Sequence, residues 1–542
     1  MSSDAADAHW SAERSAAGPH NPWLITIILS LATFMEVLDT SVANIALGHI
    51  GGSLSASYDE ATWILTSYLV ANAIAVPLSG WFAEALGRKR YYMISVALFT
   101  AASLACAFAP SIGWLIAFRV AQGIGGGGLA PCEQSMLVDT FPPSQRARAI
   151  SIYGLVLILG PALGPTIGGV IAEIASWRWL FLINIPVGLA SLALVAWLVC
   201  EPEALRIERT KRQASAISLD GAGIALIALG LGSLQFVIDR GQRSDWFDSS
   251  VIRAFALVAA VSLVLLCVRE LRRPNPILNL RLFGDRAFVS ASALMLITGA
   301  LLYATTQIVP QFMQQVMGYS PAWAGLAMTA SSVATVLSTI LTAAAASRYP
   351  AWRLIGLGLI VEAIGLAHST LIASDMDFWT IALDRVWLVS GLPLILVPLT
   401  TGAYSSLSAK ATGQASGFLN LFRNIGGAMG IALAQTVLAR RFPVHAAQLT
   451  ERVSLLDPRW RFARQLAPSG LGTLYQHGPL SAERGLRLLF GELDRQALVL
   501  AYIDVFWLLA AVAIAALVLA PLQRVSLTKV GGQVEANHGD SI

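Results

Sequence analysis

Charge is what this sequence has least of. Only 13% of its 542 residues are Asp, Glu, Lys or Arg, about half the share of a soluble domain, and 56% are hydrophobic. That balance excludes a soluble enzyme of two or three domains. Cysteine is almost missing too. Cys106, Cys132, Cys200 and Cys267 lie in or at the ends of apolar stretches, with no C-x-x-C pair, so they read as small hydrophobes and not as a disulfide set or metal site. The seven histidines are scattered, which leaves no metal triad and no nucleophile–base pair for an intramembrane enzyme. No G-x-x-x-x-G-K-[ST] loop occurs, so no nucleotide site is expected. The net charge of +4 is dispersed and gives no patch for nucleic acid. Residues 1–22 are polar and lack a basic stretch before a short apolar core, so the first apolar run is expected to stay in the mature protein.

What the chain has in abundance is apolar runs of membrane-spanning length. A bilayer-crossing helix needs about 20 mostly apolar residues. Fourteen candidate runs lie near 24–46, 62–82, 91–110, 112–136, 148–172, 178–199, 219–238, 251–268, 287–312, 323–346, 354–373, 379–400, 411–438 and 500–521. With the N-terminus placed in the cytoplasm, twenty basic residues fall on inside segments and five on short outside loops, and all four lysines lie inside. This asymmetry follows the positive-inside rule and supports an even span count with both termini cytoplasmic. The expected fold is all-α, with a cytoplasmic tail 1–22, the spans over 23–522 and a cytoplasmic tail 523–542. The one long outside loop, 439–499, mixes Leu, Trp and Phe with Arg and Glu at helical spacing. Its segments 445–467 and 480–498 read as amphipathic helices on the bilayer surface, or as a docking surface for a partner.

Ionisable groups at bilayer depth are costly, so each needs a partner or a water-filled cavity. The runs hold Glu36, Asp39, Arg119, Glu133, Glu362, Arg423 and Asp504. Asp39 and Arg119 sit in otherwise apolar surroundings. A carboxylate that moves between a cation and an apolar site takes up and releases a proton, which is the minimum for proton coupling. Glu36, one turn before Asp39, can share its cavity. Candidate cavity residues are Trp63, Tyr68, Asn72, Gln122, Gln307, Gln311, Asn420 and Arg423. Aromatics and amides without a dense charge cluster suit amphipathic, drug-like molecules, and Arg423 leaves room for anionic aromatic acids.

Four motifs point to one family. Segment 80–89, G-W-F-A-E-A-L-G-R-K, resembles the signature loop G-x-x-x-D-x-x-G-R-[RK] of the major facilitator superfamily, with Glu84 in place of Asp. In that resemblance Gly80, Glu84, Gly87, Arg88 and Lys89 form a cytoplasmic gating loop. R-V-A-Q-G at 119–123 resembles the fourth-span motif R-x-x-Q-G. G-L-V-L-I-L-G-P-A-L-G-P-T-I-G-G at 154–169 resembles the fifth-span motif of the exporter branches. It implies an antiporter hinge at Gly160, Pro161, Gly164, Pro165, Gly168 and Gly169, and it speaks against the uptake symporters of the same fold. L-D-T-S-V-A-N-I-A-L at 38–47 resembles the first-span motif of the fourteen-span drug/proton antiporters. Further stretches at 61–74, 239–247 and 422–430 look like the EmrB-type permeases of tripartite efflux pumps.

The resemblance covers about 24–521 and implies a major facilitator fold of fourteen transmembrane helices: a six-helix half 23–200, a linker and extra helix pair 201–270, and a second six-helix half 271–522. It implies a bacterial inner-membrane permease that exports drug-like compounds against protons. The proton gradient would be the energy source, with no cofactor. A periplasmic adaptor of the EmrA type and an outer-membrane channel of the TolC type would be partners, with the 439–499 loop periplasmic. Asp39 would carry the proton and Arg119 modulate it. Glu133 stands where a small polar residue is expected: either it adds a protonation or cation-binding site, or it hydrogen-bonds across helices. A transport-dead sensor or scaffold is the alternative of another class.

Overall fold

A computed structural model of the chain describes residues 21–45, 47–200, 220–273, 276–346, 348–405, 409–452 and 479–526. All regular structure among them is helical. The first group is α1 (Pro22–Ile45), short α2 (Leu47–Ser53), α3 (Tyr58–Leu86), α4 (Arg88–Ala107), α5 (Ile112–Gly126), α6 (Leu129–Thr140), α7 (Pro143–Ile174), one-turn α8 (Trp179–Leu182) and α9 (Asn184–Leu198). Then come α10 (Gly221–Arg240) and α11 (Ser250–Arg272). The second group is α12 (Arg286–Gln315), α13 (Pro321–Ala346), α14 (Ala351–His368), α15 (Phe378–Ser390), α16 (Leu392–Ser405), α17 (Ala409–Arg452) and α18 (Pro479–Ala516).

Among the described residues every expected span falls largely on helix, and eleven helical stretches are long and apolar enough to cross a bilayer on composition. Three expected spans are not among those eleven. The fourth is split into α5 and α6 at Gly127 and Gly128. The fifth lies on the 32-residue α7. The 44-residue α17 mixes apolar and polar residues throughout. Exposure patterns agree with a multi-pass membrane protein. On α11, Leu257 and Val264 are 65% and 62% exposed, a face that lipid accepts and water does not.

Local chemistry sets the helix ends. Ser57 Oγ accepts from the Glu60 amide at 3.2 Å, and Glu60 Oε2 accepts from the Ser57 amide at 2.8 Å, a capping box that starts α3. Gly87 joins α3 to α4 at φ 92°, a backbone region that disfavours any side chain, which explains the second glycine of the 80–89 motif. Asp220 caps α10 by accepting from Gly223 N at 3.1 Å. Arg269 donates to the same carboxylate at 2.7 Å and Arg273 pairs with it, tying α11 to the start of α10. The Arg269 bond, with help from Gly223 and Arg273, holds the Asp220 carboxyl below the usual carboxylate range.

The helices of each group pack on one another, and the groups meet along α3 with α17, α6 with α17 and α7 with α13. The α10–α11 pair lies against α3 and α17 from outside. Two helices overrun the bilayer. At 1.5 Å per residue α17 is about 66 Å long and α18 about 57 Å, against about 30 Å of hydrocarbon. Residues 445–452 therefore continue α17 and 480–498 belong to α18; they are not separate helices lying on the surface. Residues 453–478 of that loop lie outside the described residues.

Candidate functional site

Asp39 stands at the centre of a buried cage. It rides on α1, one turn past Glu36. Arg119 Nη1 donates to its Oδ2 at 2.5 Å, while Gln122 Nε2 and Asn184 Nδ2 donate to Oδ1 at 2.9 and 2.7 Å. Asp39 is 2% exposed and Arg119 0%. The outer arms are fixed in turn. Arg119 Nη1 also donates to Gln122 Oε1 at 2.8 Å and its Nε to Ile64 O at 3.2 Å, and the guanidinium lies 4.3 Å over the Tyr68 ring. Asn184 Nδ2 reaches Ser103 Oγ at 3.0 Å. All three side chains that hydrogen-bond Asp39 donate to it, which suits a carboxylate.

The glycines of the 154–169 motif place this helix. A Cβ on Gly160 would lie 2.7 Å from Val37, one on Gly164 2.3 Å from Ser41 Oγ, and one on Gly168 3.1 Å from Val42. The bare face of α7 thus seats the turn of α1 that carries Asp39, within one group of helices. Gly169 is buried on the same helix. Elsewhere on α7, the Thr166 hydroxyl lies 3.0 Å from that of Thr329 on α13. The side chains of Pro161 and Pro165 lie outside the described residues.

A second network runs from Glu36 across the seam between the groups. Glu36 Oε1 accepts from Asn72 Nδ2 at 3.0 Å and from Tyr68 OH at 3.3 Å. Asn424 Nδ2 on α17 donates to Asn72 Oδ1 at 3.2 Å. Beside it Arg423 Nη1 donates to Tyr153 OH at 2.7 Å, Tyr153 OH to Asn420 Oδ1 at 3.0 Å, and Asn420 Nδ2 to Gln134 Oε1 at 2.8 Å. A narrow cleft adjoins these groups, with Gln134, Tyr153 and Arg423 at its polar end and Leu157, Met295 and Leu396 among its apolar walls. It is far too small for a drug-sized ligand in this conformation.

Other sequence candidates are placed differently. Glu133 is fully buried on α6 and accepts from Ser30 Oγ, nine residues or about 13 Å down α1 from Asp39. Trp63 does not join Tyr68: its ring lies 5.7 Å from Phe236 and under the Arg240 guanidinium at 4.3 Å, so it docks α10. Gln311 accepts from Gln435 Nε2 at 2.6 Å, and Gln307 is half-buried one turn earlier on α12.

The 80–89 loop closes one end of the bundle. A Cβ on Gly80 would lie 3.0 Å from Gln414 Cα and Gly413 O on α17. Gln414 Nε2 approaches Glu84 Oε1 at 3.4 Å. Arg88 pairs with Asp139 and donates to Ser135 O at 3.2 Å, and Lys89 Nζ donates to Ala196 O, in the last turn of α9, at 2.9 Å, where the helix end favours a cation. Asn184, Asp139, Tyr153 and Gln414 were not singled out from sequence. Asn184 and Asp139 showed there only as polar residues inside or ending apolar runs.

Comparisons with known proteins agree in kind. The profile described as Major Facilitator Superfamily matches residues 29–431. The multidrug export protein EmrB of Escherichia coli K12 is 34% identical over 490 residues, covering 90% of this chain and 93% of that protein. The probable multidrug resistance protein EmrY of the same strain is 35% identical over 455 residues, 83% of this chain and 87% of that one. Among solved structures, the proton:xylose symporter XylE superposes with a TM-score of 0.57 at 15% identity, over 92% of this chain and 94% of its own, a likeness of fold alone.

Proposed function

The chain belongs to the Major Facilitator Superfamily, and from that premise we propose that it is a drug/proton antiporter that exports amphipathic toxic compounds through a tripartite efflux pump. The names of its relatives, a multidrug export protein and a probable multidrug resistance protein, support the export of drugs. The observation that carries proton coupling is the Asp39–Arg119 pair, buried and ringed by donors. Substrate entering the seam pulls on Arg423 and Tyr153, the groups opened by any rocking of the two halves. Rearrangement there reaches α1 through Asn424, Asn72 and Glu36. Asp39 then exchanges Arg119 for a proton. Fourteen spans, both termini in the cytoplasm and an inner-membrane location complete the reading. The overrun of α17 and α18 supplies a surface for a periplasmic adaptor of the EmrA type beneath a TolC-type channel.

One proton crossing about 150 mV supports a substrate gradient of roughly 300-fold. The test is substrate-induced proton release in energised inside-out vesicles, followed with a pH-sensitive dye over a panel of amphipathic drugs and aromatic acids. A compound that collapses the gradient with wild type and not with Asp39→Asn supports the reading. Equal collapse with both removes Asp39 from the proton path.

A further inference from the structure

The second helix group holds a buried acid that the Asp39 site does not use. Glu362 on α14 is 0% exposed, and neither carboxyl oxygen has a hydrogen-bond partner. It points at the break between α15 and α16, where a Cβ on Gly391 would lie 3.2 Å from its Oε2. The charged group that acts on it is Arg385 of α15, itself 2% exposed. Arg385 Nη2 donates to Thr306 Oγ1 at 3.0 Å, and its Nε and Nη1 have no partner. No hydrogen bond joins the acid to the guanidinium.

Two other acids beside α14, Asp384 and Asp504, have partners of their own, and the Leu517–Ser526 segment that also packs on α14 carries Arg524. Asp384 accepts from Ser369 Oγ at 2.7 Å and lies 3.9 Å from His368 Nε2. Asp504, on α18, is engaged by Arg441 and His445. The sequence of α13 contains no ionisable residue, and that of α16 none with a carboxyl, amine or guanidine group.

Position relates this pair to Asp39–Arg119. Arg119 lies seven residues past Ile112, the start of α5, and Arg385 seven past Phe378, the start of α15. Both helices then break at glycine, α5 before Gly127 and α15 before Gly391. The two guanidinium groups therefore sit at matching positions along these two helices. Their acids differ in state. Asp39 accepts three hydrogen bonds from three side chains, whereas Glu362 accepts none. An ionised carboxylate with no donor is not tolerated in such a site, but a neutral acid is.

We infer that Glu362 is a second proton-binding site, in which Arg385 displaces the proton when the halves rearrange. The Glu362 O–H bond breaks, the electron pair stays on the carboxylate, the proton passes to water on the side then open, and Arg385 swings in as counter-ion. In the conformation seen here Glu362 holds its proton, and Asp39 is paired with Arg119. This role rests on the antiport reading.

Two measurements test it on the full-length protein. The first is the infrared spectrum of purified protein in detergent at neutral pH. Glu362→Gln should remove one protonated-carboxyl C=O band, and Glu362→Asp should shift it, with thermal unfolding of the glutamine variant unchanged because glutamine imitates the neutral acid. Bands unchanged in both variants mean that Glu362 is ionised, and the proposal falls. The second is the steady-state substrate gradient in energised vesicles at about 150 mV. Loss of one proton per cycle lowers it roughly 300-fold in Glu362→Gln. If wild type moves protons and Glu362→Gln builds the wild-type gradient, the carrier role is overturned while antiport stands. If wild type moves no protons, the antiport reading is overturned and the carrier role with it.

Discussion

Tyr153 and Arg423 join the two helix groups through one buried hydrogen bond of 2.7 Å. Tyr153 lies on α7 and Arg423 on α17, and the same hydroxyl donates onward to Asn420 at 3.0 Å. The phenol is thus both acceptor and donor at the seam, beside the cavity. Opening the seam breaks both bonds at once.

Replacing Tyr153 by Phe keeps the ring and removes the hydroxyl. Asn420 Oδ1 then loses its donor in a buried site, a cost of about 1–3 kcal/mol borne by the closed form. The open form should gain in population by about 5- to 150-fold. Distances between spin labels across the end that carries the 80–89 loop check this. An unchanged distance distribution would remove Tyr153 from the lock.

Gly80 makes a second contact of this kind, through backbone. A Cβ there meets Gln414 Cα and Gly413 O at 3.0 Å, and neither atom has a side chain's freedom to yield. Gly80→Val should prevent closure of α3 on α17 and abolish transport, with expression and thermal stability near wild type because packing inside each group is untouched. Drug accumulation in cells reads the transport loss. Full activity in the variant would mean that this end need not close.

Asp220 predicts a pH dependence outside the bilayer. Arg269 and its fellow donors hold the folded carboxyl below its unfolded value. The stabilisation is therefore complete above about pH 4, the ordinary range of an unfolded Asp, and is lost as pH falls toward the folded value. A melting curve series in detergent should show Tm dropping in that acid window, and Asp220→Asn should flatten the drop. Raised salt should weaken the effect, since both arginines are about one-third exposed.

Trp63 tests the placement of the extra pair. Removal of the indole takes away the stack under Arg240 and the contact with Phe236. Trp63→Ala should loosen α10 by about 0.5–2 kcal/mol, seen as a lower Tm. The relative resistance to different drugs should stay as in wild type. A changed drug profile would return Trp63 to the substrate path.

Much of this was legible in the sequence for a simple reason: a charge inside an apolar run is conspicuous in one dimension. Asp39, Arg119, Glu36 and Arg423 stood out that way, and each is buried in a hydrogen-bonded network. Asn184 did not stand out, because one amide in an apolar helix has no fixed spacing to an aspartate 145 residues earlier. Trp63 misled because helical facing is set by neighbours: five residues from Tyr68 on one helix, it turns to α10. Hydropathy also passes over breaks. The interruptions at Gly127 and at Gly391 sit within runs that read as continuous. Of the fourteen expected spans, eleven stand out by length and composition among the described residues.

The unbroken run of α17 has a mechanical meaning. Asn420 and Arg423 sit at the seam, and the same helix continues to Arg452, about 48 Å beyond Asn420 along its axis. A rotation of about 10° at the seam, modest for a rigid-body transition, would carry that end sideways by about 8 Å. Turning as one body with α18, to which Arg441 and His445 tie it through Asp504, the helix would feel the cavity at its near end and move most at its far end. Whatever binds the far end would register each turnover as motion, and a load placed there would resist it.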